Sequence, residues 1–338
     1  MDPLPRMRWG LVGPGEIAQQ FAAALLGVQG GTLAAVAARD TARAQAFVQR
    51  WCPSSSQTRI HASAADLATD PGVDAIYVAT THNAHLEAVQ TCLLAGKPVL
   101  CEKPLTPTAA QAQTLITLAR KRKVFLMEGM WTRFLPAWGQ VQRWIGDGAV
   151  GRIHTLQSSF CFKSPHPPEH RHFNPALAGG ALLDVGIYNL TMTQWLMAMQ
   201  GKSQAPRVHV TGKRSPGGVD VRVQATLDYG DDTVSQFVCG FDGEAENGMR
   251  IHGERGSIDI PTGFWYAQSA TLRRAGRDPE VANLPFRING FEYEIEEATR
   301  CIAAGRLESS VIPHEHTLVT LRVTDAMRLQ LGVRYPFE

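Results

Sequence analysis

The stretch "RWGLVGPGEIAQQFAAALL", residues 8–26, sets an apolar run, a cluster of glycines and an alanine-rich segment in direct succession. A strand, a glycine turn and a helix in that order leave few geometries open. The spacing is Gly13-x-Gly15-x-x-Ala18. Gly13 permits the tight turn, Gly15 lets the backbone approach a pyrophosphate, and Ala18 allows the helix to pack closely on the strand. The backbone N–H groups that open the helix, those of Glu16 and Ile17 among them, then face the phosphates. The bare pattern also suits a simple tight turn. Its position on the first strand of an alternating half is what points to a dinucleotide.

That alternation runs to residue 128. Apolar runs "RWGLVG", "TLAAVAA", "VDAIYVAT", "KPVLCE" and "VFLMEG" are separated by helix-like segments at 16–27, 41–51, 83–95 and 107–120. Near-continuous apolar strands between helices predict a doubly wound parallel sheet covered on both faces. The second half changes period. "GVDVRVQATLDYG" sets Val219, Val221, Val223, Ala225 and Leu227 on one face and Asp220, Arg222, Gln224, Thr226 and Asp228 on the other. A period of two marks a strand buried on one side. "DTVSQFVCGF", "GMRIHGERGSIDI" and "ATLRRAG" continue the rhythm. With 338 residues, the chain exceeds the roughly 250–300 at which single cores stop growing. The expectation is a Rossmann domain over 1–128 and an α+β domain over 129–338. The latter holds an open antiparallel or mixed sheet with helices near 180–200, 291–304 and 315–331 on its apolar face. The last helix is placed to pack back on the first domain.

A net charge of +2 without any basic stripe argues against nucleic acid or a membrane surface as partner. No run approaches the roughly 18 apolar residues of a membrane span, and "MDPLPRMR" lacks the features of a secretory signal. Six scattered cysteines with no CxxC pair read as reduced thiols, hence a cytoplasmic protein.

The second strand of the first half ends "LAAVAARD". An acid at the strand end would hold the ribose 2′-OH of NAD; here Arg39 comes first, a planar cation suited to the extra phosphate of NADP. Arg39 as a solvated charge, with Asp40 capping the helix that begins at Thr41, is compatible with the same residues. The reading favours NADP over NAD. At the carboxyl end of another buried strand stands Glu102-Lys103-Pro104, at the edge where open α/β sheets bind ligands. Lys103 could meet a substrate hydroxyl there, or simply pair with Glu102.

A GxGxxA first strand, "EKP" at a later strand end and a mixed antiparallel second domain together resemble the glucose–fructose oxidoreductase/inositol dehydrogenase superfamily. "FLMEGMWTRFLPAW", "GGALLDVGIYNL", "GVDVRVQATLDY", "SSVIPHEHTLVT" and "GVRYPFE" are similar to its dimeric dihydrodiol dehydrogenase branch, which also oxidises aldopentoses such as xylose. The likeness covers essentially the whole chain. It implies an NADP-dependent dehydrogenase acting on a CH–OH group of a sugar or vicinal trans-diol. Taken alone, a helical Tyr188 reads as a core residue with a satisfied hydroxyl; the resemblance makes it the proton acceptor. A phenol with an unperturbed pKa of roughly 10 is a poor base, and a neighbouring ammonium favours phenolate. Lys103 is assigned that task and a hydrogen bond to the reacting oxygen. Asp184, four residues before Tyr188 and on the same helix face, would orient a neighbouring hydroxyl.

The same resemblance implies cofactor contacts from Thr80, His82, His85, Glu102 and Lys103. Thr81-His82 departs from the family's proline-asparagine turn. Trp131, Arg133, Phe134 and Arg171 are candidate substrate contacts, although Trp131 and Phe134 could equally pack a domain junction. His166, His170 and His172 superficially suggest a metal. With four prolines in "SPHPPEHRHFNP" and no helix to align ligands, no metal is expected. Relatives use the open sheet to dimerise, so a homodimer is expected. Two rival functions remain: a sugar oxidoreductase that retains its cofactor, and a non-catalytic dinucleotide sensor. A sensor would need none of Lys103, Asp184 and Tyr188.

Overall fold

The computed structural model describes residues 4–52 and 57–338, which form two compact units. The first contains the described residues up to Thr106 with Ala110–Trp131 and Arg287–His314. Its sheet is built from β1 (Met7–Val12), β2 (Gly31–Ala37), β3 (Arg59–His61), β4 (Ala75–Val78), β5 (Val99–Glu102) and β6 (Leu126–Gly129). All neighbours are parallel, in the order β3-β2-β1-β4-β5-β6. This is the doubly wound order, with its switch point between the paired strands β1 and β4. Every residue of β4, β5 and β6 is buried, as a sheet covered on both faces demands.

Helices α1 (Glu16–Gly27), α2 (Thr41–Trp51), α3 (Ala64–Thr69), α4 (His85–Leu94) and α5 (Ala109–Arg122) follow the strands. Phe21 of α1 stacks on Tyr77 of β4, centroids 3.8 Å apart and rings 6° from parallel. β3 and α3 were not anticipated from the sequence. Four of the described cysteines besides Cys301 are buried, none is bonded to another, and no described helix is long and apolar enough to cross a membrane.

The second unit contains Pro107–Ala109, Thr132–Phe286 and Glu315–Glu338. Its sheet is β7 (Ile153–Cys161), β8 (Arg207–Arg214), β9 (Asp220–Asp228), β10 (Val234–Gly240), β11 (Met249–Gly253), β12 (Gly256–Ile260), β13 (Ser269–Arg273) and β14 (Glu280–Asn283). The order is β14-β13-β12-β11-β7-β10-β9-β8, antiparallel except for the β7–β10 pair. Helices α6 (Pro136–Gly146), α7 (Ile187–Met199) and α9 (His314–Leu331) accompany it, α9 from Glu315 onward.

Two expectations are corrected here. Residues 287–314, assigned by sequence order to the second half, belong to the first unit. There α8 (Glu292–Ala303) buries Ile295, Ala298 and Cys301, and Asn289 donates to the Gln20 carbonyl of α1 at 2.9 Å. Asp220, expected on the solvated face of β9, is fully buried. The ladder shifts register between Lys213 and Arg214, and Asp220 Oδ2 accepts the Leu182 N–H at 2.6 Å. The rest of β9 keeps its period: Val221, Val223, Ala225 and Leu227 are buried and Arg222 and Gln224 exposed.

Candidate active site

The glycine turn has the form its sequence requires. Gly13 sits at φ +89°, and a Cβ there would lie 2.9 Å from the Ala79 carbonyl oxygen. A side chain is excluded on both counts. A Cβ on Gly15 would meet nothing within 4 Å, so the space above that residue is open. Gly15 caps α1 without any side-chain hydrogen bond to the helix N–H groups. Ala18 is fully buried, while Glu16 and Ile17 are exposed. A clear space over unclaimed helix-opening donors suits a pyrophosphate. The Thr80 hydroxyl, beside Gly13, is buried with no hydrogen-bond partner among the described residues. The turn therefore fits a dinucleotide.

Arg39 is exposed at the end of β2 and has no partner among the described residues. Asp40 accepts from the N–H groups of Ala42 at 3.0 Å and Arg43 at 3.3 Å, so it is the α2 cap. Arg43 was missed in the sequence. Its guanidinium reaches the Pro14 carbonyl at 3.5 Å, which puts a second cation at the glycine turn. The signal was available: a residue one turn into α2 faces the same loop as the end of β2.

His85 is fully buried, with Nδ1 2.9 Å from the Pro104 carbonyl oxygen and Nε2 3.1 Å from that of Thr80. Burial lowers its pKa, with Lys103 acting in the same direction. The ring ties the Glu102-Lys103-Pro104 turn to the end of β4. His82 is buried beside it, ring centroids 5.9 Å apart. Glu102 Oε1 accepts the Tyr77 hydroxyl at 2.5 Å and Oε2 accepts the Lys103 N–H at 3.2 Å. Burial pushes its carboxyl up, and Glu294 of α8, also buried, is pushed up by burial and by Glu102. Lys103 itself is half-buried.

In the second unit the segment with Asp184 and Tyr188 opens as a π-helical turn, Leu182–Gly186, that runs into α7. Such wide turns recur at functional sites. Asp220 anchors this turn through the Leu182 N–H. The C-terminal residues brace it: Val333 and Tyr335 pack with Leu183, and the Tyr335 hydroxyl donates to the Gly179 carbonyl at 2.8 Å. Asp184 is buried, with Arg171 Nη1 3.4 Å and His172 Nε2 3.5 Å from its oxygens. Burial lowers the His172 pKa to about 4, against the pull of Asp184, so the ring is neutral at neutral pH. Tyr188 is buried with its ring 5.8 Å from Phe160, which itself stacks on Trp265 at 3.4 Å and 7°. Phe160 and Trp265 were also missed. They lie 105 residues apart in a chain with many aromatics, and only the fold joins them.

Two expected substrate contacts are packed. The Arg133 guanidinium lies 3.7 Å from the Trp195 ring centroid, and burial lowers its pKa to about 9. Trp131 packs on Phe291 at 4.9 Å. Phe134 is half-buried. The histidines dismissed as metal ligands converge, with one ring nitrogen from each of His166, His170 and His172 within 4.8 Å of the others.

Comparison with known proteins agrees with both units. Residues 7–130 match an oxidoreductase family with an NAD-binding Rossmann fold, and residues 138–259 match the GFO/IDH/MocA C-terminal domain. The chain is 34% identical over 336 residues to trans-1,2-dihydrobenzene-1,2-diol dehydrogenase of Danio rerio, covering 97% of this chain and 98% of that one. It is 33% identical to the protein of that name from Macaca fascicularis, covering 98% of each. A 3-ketoreductase from Actinomadura kijaniata, solved with NADP and TDP-benzene, is 25% identical with a TM-score of 0.81, covering 96% of this chain and 97% of that one. The chain belongs to the GFO/IDH/MocA family of oxidoreductases.

Proposed function

We propose that this oxidoreductase is NADP-dependent and moves a hydride between the nicotinamide and a CH–OH carbon of a vicinal trans-diol or a sugar such as xylose. One observation carries the reading: Asp184 is buried on the braced turn, and Tyr188 is buried one helical turn on, in α7, beside Phe160, which stacks on Trp265. A carboxylate holds a hydroxyl, a phenol handles a proton, and an aromatic surface accepts the carbon face of a diol or sugar. Relatives named for a dihydrodiol support that substrate class.

Held over the Gly13–Gly15 turn, a dinucleotide would supply the hydride-transfer chemistry. The chain's residues manage the rest. Tyr188, as phenolate, accepts the proton that leaves the substrate oxygen; in the reverse direction it returns that proton. The role assigned to Lys103 in this reading is to favour the phenolate by its positive charge and to hydrogen-bond the reacting oxygen. Asp184, with Arg171 against its other side, orients the neighbouring hydroxyl. Arg39 and Arg43 are the pair of cations that would receive the 2′-phosphate. The polar outer face of β9, with Arg222 and Gln224 exposed, is the surface through which two copies would pair in the cytoplasm. Light scattering at twice the chain mass supports that pairing, and the single-chain mass removes it.

The test is steady-state reduction of NADP and NAD with a trans-dihydrodiol, xylose, glucose and myo-inositol. Tyr188→Phe should lower kcat by about 10²–10⁴-fold, with NADP affinity unchanged by fluorescence titration. A loss below tenfold removes Tyr188 as the proton acceptor. Tight NADP binding by the wild-type chain without turnover on any of the four substrates would refute this choice of substrate and favour the sensor.

A further inference from the structure

The loop between β7 and the Asp184 turn gathers three imidazoles. Ring centroids are 3.6 Å apart for His166 and His170, 4.4 Å for His170 and His172, and 5.2 Å for His166 and His172. One ring nitrogen of each lies within 4.8 Å of the others. We propose that His166, His170 and His172 form a binding site for a divalent transition metal of Zn²⁺ type.

Zn²⁺ takes imidazole nitrogens at about 2.0–2.1 Å in a tetrahedron, which sets neighbouring donors roughly 3.3 Å apart. Closing from 4.8 Å needs ring rotations that move the nitrogens by about an ångström, and the three residues divide that task unequally. His172 is the fixed post: it is buried, and its ring stacks on Phe241 at 4.6 Å and 19°. His170 Nδ1 accepts the His172 backbone N–H at 3.3 Å, which leaves its Nε2 for a metal. His166, exposed and stacked on His170 at 3.6 Å and 11°, is the ring that must turn out of that stack so that both ring planes meet at one ion. The backbone is already shaped. Pro165, Pro167 and Pro168 restrict it, His170 N–H donates to the Pro167 carbonyl at 3.0 Å, and Phe173 N–H donates to the His170 carbonyl at 2.9 Å. Little chain entropy is lost on binding.

The surroundings of His172 supply the outer partner that metal-bound histidines need. Nδ1 lies 3.1 Å from Ser164 Oγ and Nε2 lies 3.5 Å from Asp184 Oδ2. Whichever nitrogen takes the metal, the other keeps an oxygen that fixes the ring. Three imidazoles with no carboxylate ligand select Zn²⁺, Cu²⁺ or Ni²⁺ over Mg²⁺ and Ca²⁺, and leave a fourth position for water. The site is distinct from the proton-transfer residues but shares Asp184 with them, so occupancy and substrate orientation are coupled.

The measurement is isothermal titration of tag-free, EDTA-stripped and dialysed full-length protein with ZnCl₂, and separately with MgCl₂. One Zn²⁺ per chain at micromolar affinity or tighter is expected, with no saturable Mg²⁺ signal. His166→Ala/His170→Ala should weaken Zn²⁺ binding at least 100-fold, and His209→Ala, a histidine on β8 outside the cluster, should leave it unchanged. Zn²⁺ should raise the melting temperature of the wild type and not that of the double variant. Equal metal-free melting temperatures show that the double variant is folded. The proposal fails if the wild type shows no one-to-one Zn²⁺ site, or if the double variant binds as the wild type does. It fails as well if the two respond alike in melting.

Discussion

Asp220 is the sharpest test of how the second unit holds its π-helical turn. Its carboxyl is fully buried, accepts the Leu182 N–H at 2.6 Å, and leaves Oδ1 without a hydrogen-bond partner among the described residues. Burial raises its pKa from 3.8 to about 6, opposed by the Leu182 N–H and by Arg328. The folded value lies above the unfolded one. The folded state therefore gains from the protonated form, its advantage is complete below about pH 3.8, and it is lost as pH rises through about 6. At 1.36 kcal/mol per pH unit of difference, the ionised group costs the fold about 3 kcal/mol once both states are deprotonated, about 2 kcal/mol of it appearing between pH 4.5 and 7.5. Asp220→Asn keeps an oxygen for Leu182 and removes the titration, at the constant cost of an unpartnered amide. Urea unfolding of both proteins at pH 4.5, 6.0 and 7.5, followed by tryptophan fluorescence, measures the difference. The variant should gain about 2 kcal/mol on the wild type across that range. Parallel stability curves, with a difference that does not change with pH, would refute the argument that a buried charge anchors this turn.

Two other perturbations probe the first unit. Arg43→Ala and Arg39→Ala should each raise KM for NADP about tenfold or more, the loss of one charge-assisted phosphate contact, and leave KM for NAD unchanged; equal losses with both cofactors in steady-state assays would place these cations on the shared pyrophosphate instead. Glu294→Met removes two buried carboxyl oxygens that have no hydrogen-bond partner among the described residues and lie near Glu102. It should stabilise the chain by about 1–3 kcal/mol and raise its melting temperature in calorimetry at pH 7.5, whereas a lower melting temperature would mean that the carboxyl pair is held by favourable contacts.

What could be read from the sequence follows from how locally each feature is determined. The glycine turn was readable because backbone sterics act within a few residues: Gly13 at φ +89° against the Ala79 carbonyl admits nothing else. β9 was readable because one strand buries one face, and its period of two survives in the burial pattern. β3 escaped because three residues, Arg59–His61, carry no period at all. β8 escaped because it lies at the sheet edge, with its last four residues exposed and little apolar signal. The placement of α8 could not be inferred from chain order. Its apolar face, Ile295, Ala298 and Cys301, satisfies any complementary surface, and which surface it meets is settled by the fold of the first unit.

The candidate functional residues divide along the same line. Lys103, Asp184 and Tyr188 stood out through local motifs and a family resemblance, whereas the residues that give them their environment are distant in sequence. Asp220 comes to the Asp184 turn from 36 residues downstream, in a strand whose alternation placed it in solvent. There it pairs with Arg214 just past the register shift and accepts the N–H of Leu182. The three histidines, too, are brought together by partners outside their own stretch. Four prolines interrupt their stretch and no α-helix spaces them. In the loop those prolines shape, His172 is instead clamped by Phe241, just beyond β10, and the other two fall in beside it. Motifs identify the groups that can react; whether they are charged, neutral or held in place is decided by partners that the linear order does not reveal.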